Sequence, residues 1–193
     1  IQIKGGMGFV EETGAAQFWR DARISPIYEG TTGIQANDLI GRKLFRDAGE
    51  NFINLLNEMK AVLHEAALVA EGDAATTAMA RQLEMAIGCL ERAGMRMVEV
   101  CGENMTLAQF VSVPFLMLFG RTAGGWLMLK AAIKARQASG SGRYAEAFLN
   151  AKQESARFYC RYVLAETAGL YQQVMNYLDD ETAAVSGVDA LGC

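Results

Sequence analysis

The sequence contains little of what marks a metalloprotein, a disulfide-bonded protein or a nucleic-acid-binding protein. Its 193 residues include one histidine and four cysteines, and no two cysteines form a Cys-x-x-Cys pair. We therefore expect no disulfide framework, no metal site and no histidine-dependent catalytic triad. The net charge is −4, which argues against a nucleic-acid partner because surfaces that bind phosphate backbones are basic.

Proline and long apolar runs are also scarce. Only two prolines are present, while hydrophobic residues make up 51% and charged residues 21% of the chain, a composition typical of a folded globular protein. The most apolar run, from Val111 to Phe119, is too short to cross a bilayer. We expect no membrane span and a cytoplasmic location. The first residue is Ile1 rather than methionine, so we expect a piece of a longer protein.

The dominant pattern is helical. Apolar residues recur at spacings of three and four along most of the chain, and no segment shows sustained alternation of apolar and polar residues. The clearest stripe, between residues 74 and 101, contains Met79, Leu83, Ile87, Leu90, Gly94, Met97 and Cys101. Its methionines are interpreted as core fillers. The predicted fold is all-α, an up-and-down helical bundle with four to five long helices.

Weaker signals predict the remaining elements. We expect a helix over residues 12–23, a helix from residue 34 that Gly49 bends or ends, and a long helix from about residue 50 to 72. The apolar segment 105–136 is either kinked or restarted by Pro114, and 137–142 reads as a linker. The tail after Glu181 is expected to fray. The last long helix has a predicted core face made of Phe148, Ala151, Ser155, Phe158, Tyr162, Ala165, Leu170, Val174 and Leu178.

Glu29 is the candidate chemical group. It lies on a short connection after Pro26, which cannot sit inside a helix, and before Gly30, which lets a ligand approach the backbone closely. Thr31 or Thr32 can cap the helix that follows. From spacing alone, Glu29 is either a reactive carboxylate or a helix cap or salt-bridge partner of Arg20 or Arg23.

Three blocks in the first 35 residues carry a resemblance to a known family. Gln2-Ile-Lys-Gly-Gly-Met-Gly-Phe9, Arg20-Asp-Ala-Arg-Ile24 and Ile27-Tyr-Glu-Gly-Thr31, the last followed by Ile34-Gln35, occur in this order. They closely resemble the C-terminal helical domain of flavin-dependent acyl-CoA dehydrogenases. This resemblance implies that Glu29 removes the α-proton of an acyl-CoA thioester while the β-hydride passes to FAD, and that Gly30 lies against the substrate. The resemblance places a first group of residues against the FAD of a neighbouring subunit: Gln2, Ile3, Lys4, Gly5 and Gly6. It places a second group against FAD as well: Thr31, Thr32, Gly33 and Gln35.

The later part of the chain resembles the extra C-terminal helical domain of large bacterial acyl-CoA dehydrogenases, a group that includes enzymes acting on 3-methylthiopropanoyl-CoA. The residues that carry this looser likeness are Pro114-Phe-Leu-Met-Leu-Phe-Gly120 and Ala123-Gly-Gly-Trp126. The family implies an electron-transfer flavoprotein as acceptor and a homo-oligomer. We divide the chain into a catalytic segment, 1–50, and a helical bundle, 51–193. The chain alone is expected to be inactive, and the alternative to an enzyme is a non-catalytic assembly or oligomerisation module.

Overall fold

A computed structural model describes residues 1–69 and 73–179. Within those ranges all regular structure is helical and there is no β-strand, so the predicted all-α class is confirmed. The predicted end of the second long helix, the tail after Glu181 and Cys193 lie outside the described residues. The described residues form eight α-helices: α1 Ala15–Arg23, α2 Thr32–Asp38, α3 Glu50–Val69, α4 Ala74–Glu103, α5 Met105–Phe110, α6 Ser112–Ala138, α7 Glu146–Phe158 and α8 Thr167–Leu178.

Four long helical segments, called rods below, form the bundle. Three are the single helices α3, α4 and α6, and the fourth consists of α7 joined to α8. The join is a π-helical turn, Tyr159–Val163, followed by a 3-10 turn, Leu164–Glu166. Helix α4 packs against α3, α6 and α8, and α6 also contacts α3, α7 and α8. These two helices are therefore the centre around which the other rods are arranged.

Polar contacts fix the directions of the rods. Lys60 of α3 pairs with Glu91 of α4, with Nζ and Oε1 2.7 Å apart, and Arg136 at the end of α6 pairs with Asp73 at the start of α4. The second pair joins the end of one helix to the start of the other, so α6 and α4 run antiparallel. Helices α3 and α4 are also antiparallel, because Phe52 near the start of α3 lies against Gly94 in the later half of α4. Arg96 of α4 instead reaches Asp179, just after α8, with Nε and Oδ1 3.1 Å apart. The bundle accordingly runs up and down, as predicted.

The core confirms the predicted stripe of α4, since all seven of its residues are buried. Gly94 has a specific reason to be small: a Cβ built on it would lie 2.3 Å from a ring carbon of Phe52 in α3. Cys101 and Cys160 behave as small core residues, and burial raises the pKa of the Cys160 thiol to about 11. None of the helices in the described ranges is long and apolar enough to cross a membrane.

Two open alternatives are resolved by the helix boundaries. Pro114 is the third residue of α6 and so starts a helix rather than kinking one, since the first turn does not need its missing N–H. Gly49, with φ of 83°, precedes α3 and separates it from the preceding helical segment. The linker is shifted from its predicted place, because α6 continues through Ala138.

The predicted core face of the last rod is wrong over α7. Phe148, Phe158 and Tyr162 are exposed by 51%, 60% and 55%, and Ala151, Ser155 and Ala165 are also exposed. The core instead receives Leu149, Ala156, Cys160 and Leu164, which lie on the opposite side of the helix. The predicted stripe is correct only at its end, where Val174 and Leu178 are buried.

The segment after Glu29 is built into this bundle. Helix α2 runs directly into a π-helical stretch, Leu39–Phe45, and the two pack against α6 and α4. Ala36, Ile40 and Leu44 are buried, and Ile40 and Leu44 join the core that α3, α4 and α6 share. The helix that follows the candidate site therefore has a fixed position on the bundle.

Candidate functional site

Glu29 lies in the turn that connects α1 to α2. Helix α1 ends in a turn in which the backbone N–H of Tyr28 donates to the carbonyl of Ile24 at 2.8 Å. Glu29 then takes a left-handed backbone conformation with φ of 56°, and Gly30 follows with φ of 107°. A left-handed conformation costs a residue with a Cβ roughly 1–2 kcal/mol. Glycine or asparagine usually fills such positions, so the glutamate carries strain.

Thr31 begins α2. Its side-chain Oγ1 accepts from the backbone N–H of Ile34 at 3.4 Å, which makes Thr31 the N-cap. Six residues after Glu29, the side-chain Nε2 of Gln35 donates to the backbone carbonyl of Glu29 at 2.5 Å. The first turn of α2 is thereby tied back to the residue that carries the candidate carboxylate.

The Glu29 carboxylate itself is exposed. In the part of the chain that the structure describes, no ion pair joins Glu29 to Arg20 or Arg23. Arg20 pairs with Glu11 through both of its terminal nitrogens at 3.1 and 3.2 Å, and that bidentate contact holds the pKa of the Glu11 carboxyl below its usual value. Among the described residues, Thr31 rather than Glu29 caps α2.

The predicted cofactor residues fall into two groups, and all of them are exposed except Thr32 and Gly33, which are half-buried. Gln2, Ile3, Lys4, Gly5 and Gly6 lie in a 3-10 segment, Gln2–Gly8, and all five are exposed. Thr31, Thr32, Gly33 and Gln35 lie at the start of α2. Lys4 Nζ donates to the carbonyl of Thr13 at 3.4 Å, but among the described residues no hydrogen bond joins the first group to the second.

Large apolar side chains surround this region without being covered. Ile3 is 103% exposed, Phe9 88%, Phe18 79% and Tyr28 66%. Exposed large apolar side chains can mark an interface or a binding groove. Over residues 1–69 and 73–179, no group of three side chains clusters to hold a metal ion.

Two features of the site were not predicted from the sequence: the left-handed backbone of Glu29 and the contact between Gln35 and its carbonyl. Neither has a local sequence signal, because glutamate is not a residue that favours positive φ. A glutamine six positions away can bond many groups.

Comparison with known proteins gives the region a family. A family model described as "Acetyl-CoA dehydrogenase C-terminal like" matches residues 55–185, and one described as "Acyl-CoA dehydrogenase, C-terminal domain" matches residues 1–44. The chain belongs to the acyl-CoA dehydrogenase family. Glu29, Gly30 and both groups of predicted cofactor residues lie in the part of the chain that the second of these models matches.

Among the relatives, a 3-methylmercaptopropionyl-CoA dehydrogenase from Ruegeria pomeroyi is 41% identical over 90% of this chain and 29% of its own length. A broad-specificity linear acyl-CoA dehydrogenase from Mycobacterium tuberculosis is 28% identical over 94% of this chain and 30% of its own length. A short-chain specific acyl-CoA dehydrogenase from rat mitochondria is 54% identical over 44 residues, 23% of this chain and 11% of its own length. The acyl-CoA dehydrogenase chain described here thus spans less than a third of the curated relatives that it matches.

Proposed function

We propose that this chain is the C-terminal part of an FAD-dependent acyl-CoA dehydrogenase in which Glu29 removes the α-proton of the acyl thioester. The observation that carries the proposal is the state of Glu29: its carboxylate is exposed and free of any described ion pair, and its strained backbone is held by Gln35. It also lies in the segment that the acyl-CoA dehydrogenase family model matches. Strained backbone conformations concentrate at functional sites, where the surrounding structure maintains them.

The chemistry needs a carboxylate held in a fixed place. A C–H bond next to a thioester carbonyl is a weak acid, so a base must meet it at short range and in the correct direction. Gly30 offers no side chain on the substrate side of Glu29, which allows a thioester to approach the backbone. The anchoring of α2 through buried Ala36 fixes the far end of the loop. Glu29 then receives the α-proton on a carboxylate oxygen.

The two groups of predicted cofactor residues leave room for a large planar cofactor. A Cβ built on Gly5, Gly6 or Gly33 would meet no atom within 4 Å, so the backbone at all three positions can be approached from outside. Gln2 and Lys4 add exposed polar side chains beside the first two glycines, and we propose that Gln2–Gly6 and Thr31–Gly33 contact FAD. When bound, FAD supplies the acceptor for the hydride that leaves the β-carbon.

Further parts of the proposal concern the whole enzyme. We propose that the whole enzyme acts on an acyl-CoA and passes its electrons to an electron-transfer flavoprotein. We also propose that it is a homo-oligomer and that it is located in the cytoplasm. The names of the relatives support the first of these, since all three reported relatives are named as dehydrogenases of acyl-CoA substrates. The division into a catalytic segment, 1–50, and a helical bundle, 51–193, is part of the same proposal.

A second candidate function, helical assembly, applies to the bundle. The observation that favours it is the set of exposed aromatic side chains in α7 and directly beside it: Tyr144, Phe148, Phe158 and Tyr162. An assembly role predicts that removing residues 51–193 from the longer protein changes its oligomeric state, whereas unchanged assembly and unchanged acyl-chain preference would count against it. Sedimentation velocity and an acyl-CoA panel measure the two.

The test of the catalytic proposal is Glu29→Gln in the longer protein that carries this chain. We expect FAD content and acyl-CoA binding to remain and steady-state dehydrogenation to fall by about a thousandfold or more, since the amide cannot accept the proton. Glu12→Gln is the matched control, because Glu12 is an exposed carboxylate of the same segment. A Glu29→Gln protein within tenfold of wild type would rule Glu29 out as the base.

A further inference from the structure

We infer that Gln35 is a positioning residue: its side-chain amide holds the Glu29 backbone in the left-handed conformation that aims the carboxylate. The inference rests on the proposed function of Glu29 and concerns a different residue. The family resemblance places Gln35 near the flavin nucleotide, whereas in the structure its Nε2 donates to the Glu29 carbonyl at 2.5 Å. The two roles make different predictions.

We call the hydrogen bond from Gln35 Nε2 to the Glu29 carbonyl the clasp, and Gln35 is well placed to form it. Its backbone N–H donates to the carbonyl of Thr31 at 3.0 Å, and its neighbour Ala36 is fully buried against the bundle. The main chain of Gln35 is therefore fixed, and its side chain reaches back over the loop. The clasp thus closes residues 29–35 into one hydrogen-bonded loop.

Gly30 leaves the room that the clasp needs. A Cβ built on Gly30 would lie 3.3 Å from Gln35 Nε2 and 3.3 Å from Ile34 Cγ2, both tighter than an ordinary contact. With φ of 107°, the residue also has a backbone conformation that side chains rarely allow. A glycine at this position thus serves the path of the Gln35 side chain as well as substrate approach.

The clasp matters because the backbone angle of Glu29 sets the direction of its Cα–Cβ bond. At a positive φ this bond points to a different side of the chain from the usual right-handed or extended conformation. If the carbonyl is released, the strain favours return to a negative φ, and the carboxylate moves with it. Displacement of a catalytic group by about 1 Å can lower a rate by about a hundredfold.

The experiment compares Gln35→Met, which keeps length but has no donor, with Asn37→Leu, a change at an exposed amide of the same helix. In the longer protein, we expect Gln35→Met to keep its FAD and its KM for acyl-CoA within twofold. Its kcat should fall by about 10- to 100-fold, and the isotope effect with α-deuterated acyl-CoA should rise because proton removal becomes slower. Asn37→Leu should match wild type in all four measurements.

A readout without turnover uses the 193-residue chain. Backbone amide exchange at Ile34 and Gln35, whose N–H groups donate to Thr31, followed by NMR, should accelerate at least tenfold in Gln35→Met and stay unchanged in Asn37→Leu. Loss of FAD from Gln35→Met, with normal kcat once FAD is added back, would overturn the inference and make Gln35 a cofactor ligand. Retained FAD with kcat within twofold of wild type would also overturn it.

Glu29→Gln in the same assays separates this inference from the proposed function. If Glu29→Gln loses dehydrogenation while Gln35→Met resembles wild type, Glu29 remains the proposed base and only the positioning role fails. If Glu29→Gln stays active, the proposed function fails, and the positioning role fails with it.

Discussion

At the scale of single residues, Glu29 combines a charged side chain with a backbone conformation that suits glycine. The turn after α1 would be more stable with glycine at this position, but glycine carries no carboxylate. The hydrogen bond from Gln35, which contributes about 0.5–1.5 kcal/mol net, offsets a strain of similar size. The strained backbone of Glu29 thus lowers the stability of the fold at the residue that we propose as the base.

This strain predicts an unusual order of stabilities. Because alanine and glycine both lack the carboxylate, comparing Glu29→Ala with Glu29→Gly isolates the Cβ. Glu29→Gly should be more stable than Glu29→Ala by about 1 kcal/mol, since only alanine has the Cβ that opposes positive φ. Urea unfolding of the 193-residue chain measures the difference. If Glu29→Ala were the more stable, as in an ordinary helical position, the left-handed assignment would be wrong.

At the scale of elements, the predictions from sequence succeeded where one pattern dominated and failed where two competed. The predicted helix from Ala74 to Cys101 is found as α4, Ala74–Glu103, because its apolar stripe has no rival and Asp73 caps its start. In α7, the predicted core face followed the large aromatic residues, whereas the buried face consists of the smaller residues Leu149 and Ala156. The π-helical turn after Phe158 also shifts the register, and no sequence signal announces it.

The corrected register of α7 can be checked with two neighbouring residues. Leu149 is 3% exposed and Phe148 is 51% exposed. Leu149→Ala should lower the free energy of unfolding by about 2–5 kcal/mol, because it removes buried side-chain atoms and leaves a cavity. Phe148→Ala should lower it by less than about 1 kcal/mol. Chemical denaturation gives both values, and a larger loss for Phe148→Ala would restore the register predicted from sequence.

A pH-dependent contact joins the start of α4 to the end of α6. A hydrogen bond from the Thr76 hydroxyl, with smaller contributions from the Ala75 N–H and the Arg136 charge, holds the pKa of Asp73 below its usual value. A carboxyl whose pKa is lowered by folding stabilises the protein above its unfolded pKa of about 3.9. That stabilisation disappears as the pH falls through the lower, folded value.

Asp73→Asn tests this linkage, since asparagine is also a good N-cap but does not ionise. Wild type should be more stable than Asp73→Asn by about 1 kcal/mol at pH 6. The gap should close as the pH falls below about 4. Thermal unfolding across this range measures it, and a gap that does not change with pH would contradict the assigned contacts.

At the scale of the whole molecule, the described residues form a helical core, whereas the proposed site residues lie mostly on the surface. The buried core runs from the π-helical stretch Leu39–Phe45 to α8. The proposed cofactor residues are exposed except Thr32 and Gly33, and no described hydrogen bond joins their two groups. The prediction of Glu29 rests on the resemblance of its flanking blocks to acyl-CoA dehydrogenases, and it stays a prediction. The clasp by Gln35 depends on where folding places a side chain, and motifs do not contain that information.

Because the proposed site residues lie mostly on the surface, we predict that the purified 193-residue chain holds no stoichiometric FAD. Exposed residues on one side of a cofactor leave most of its surface in water, and ligand sites usually bury 70–90% of their ligand. Visible absorption after purification with added FAD and gel filtration measures the bound fraction. A flavin band at one FAD per chain would show that these residues bind the cofactor without further protein.

The central claim, that Glu29 is the base, is tested most directly by exchange of the α-proton in heavy water. The measurement uses the longer protein with FAD bound and an acyl-CoA analogue that has no transferable β-hydrogen, so that proton removal is seen without hydride transfer. Mass spectrometry should show deuterium entering the α-carbon with wild type, and about a thousandfold more slowly or not at all with Glu29→Gln. Exchange by Glu29→Gln within tenfold of wild type would contradict the claim and place the base elsewhere.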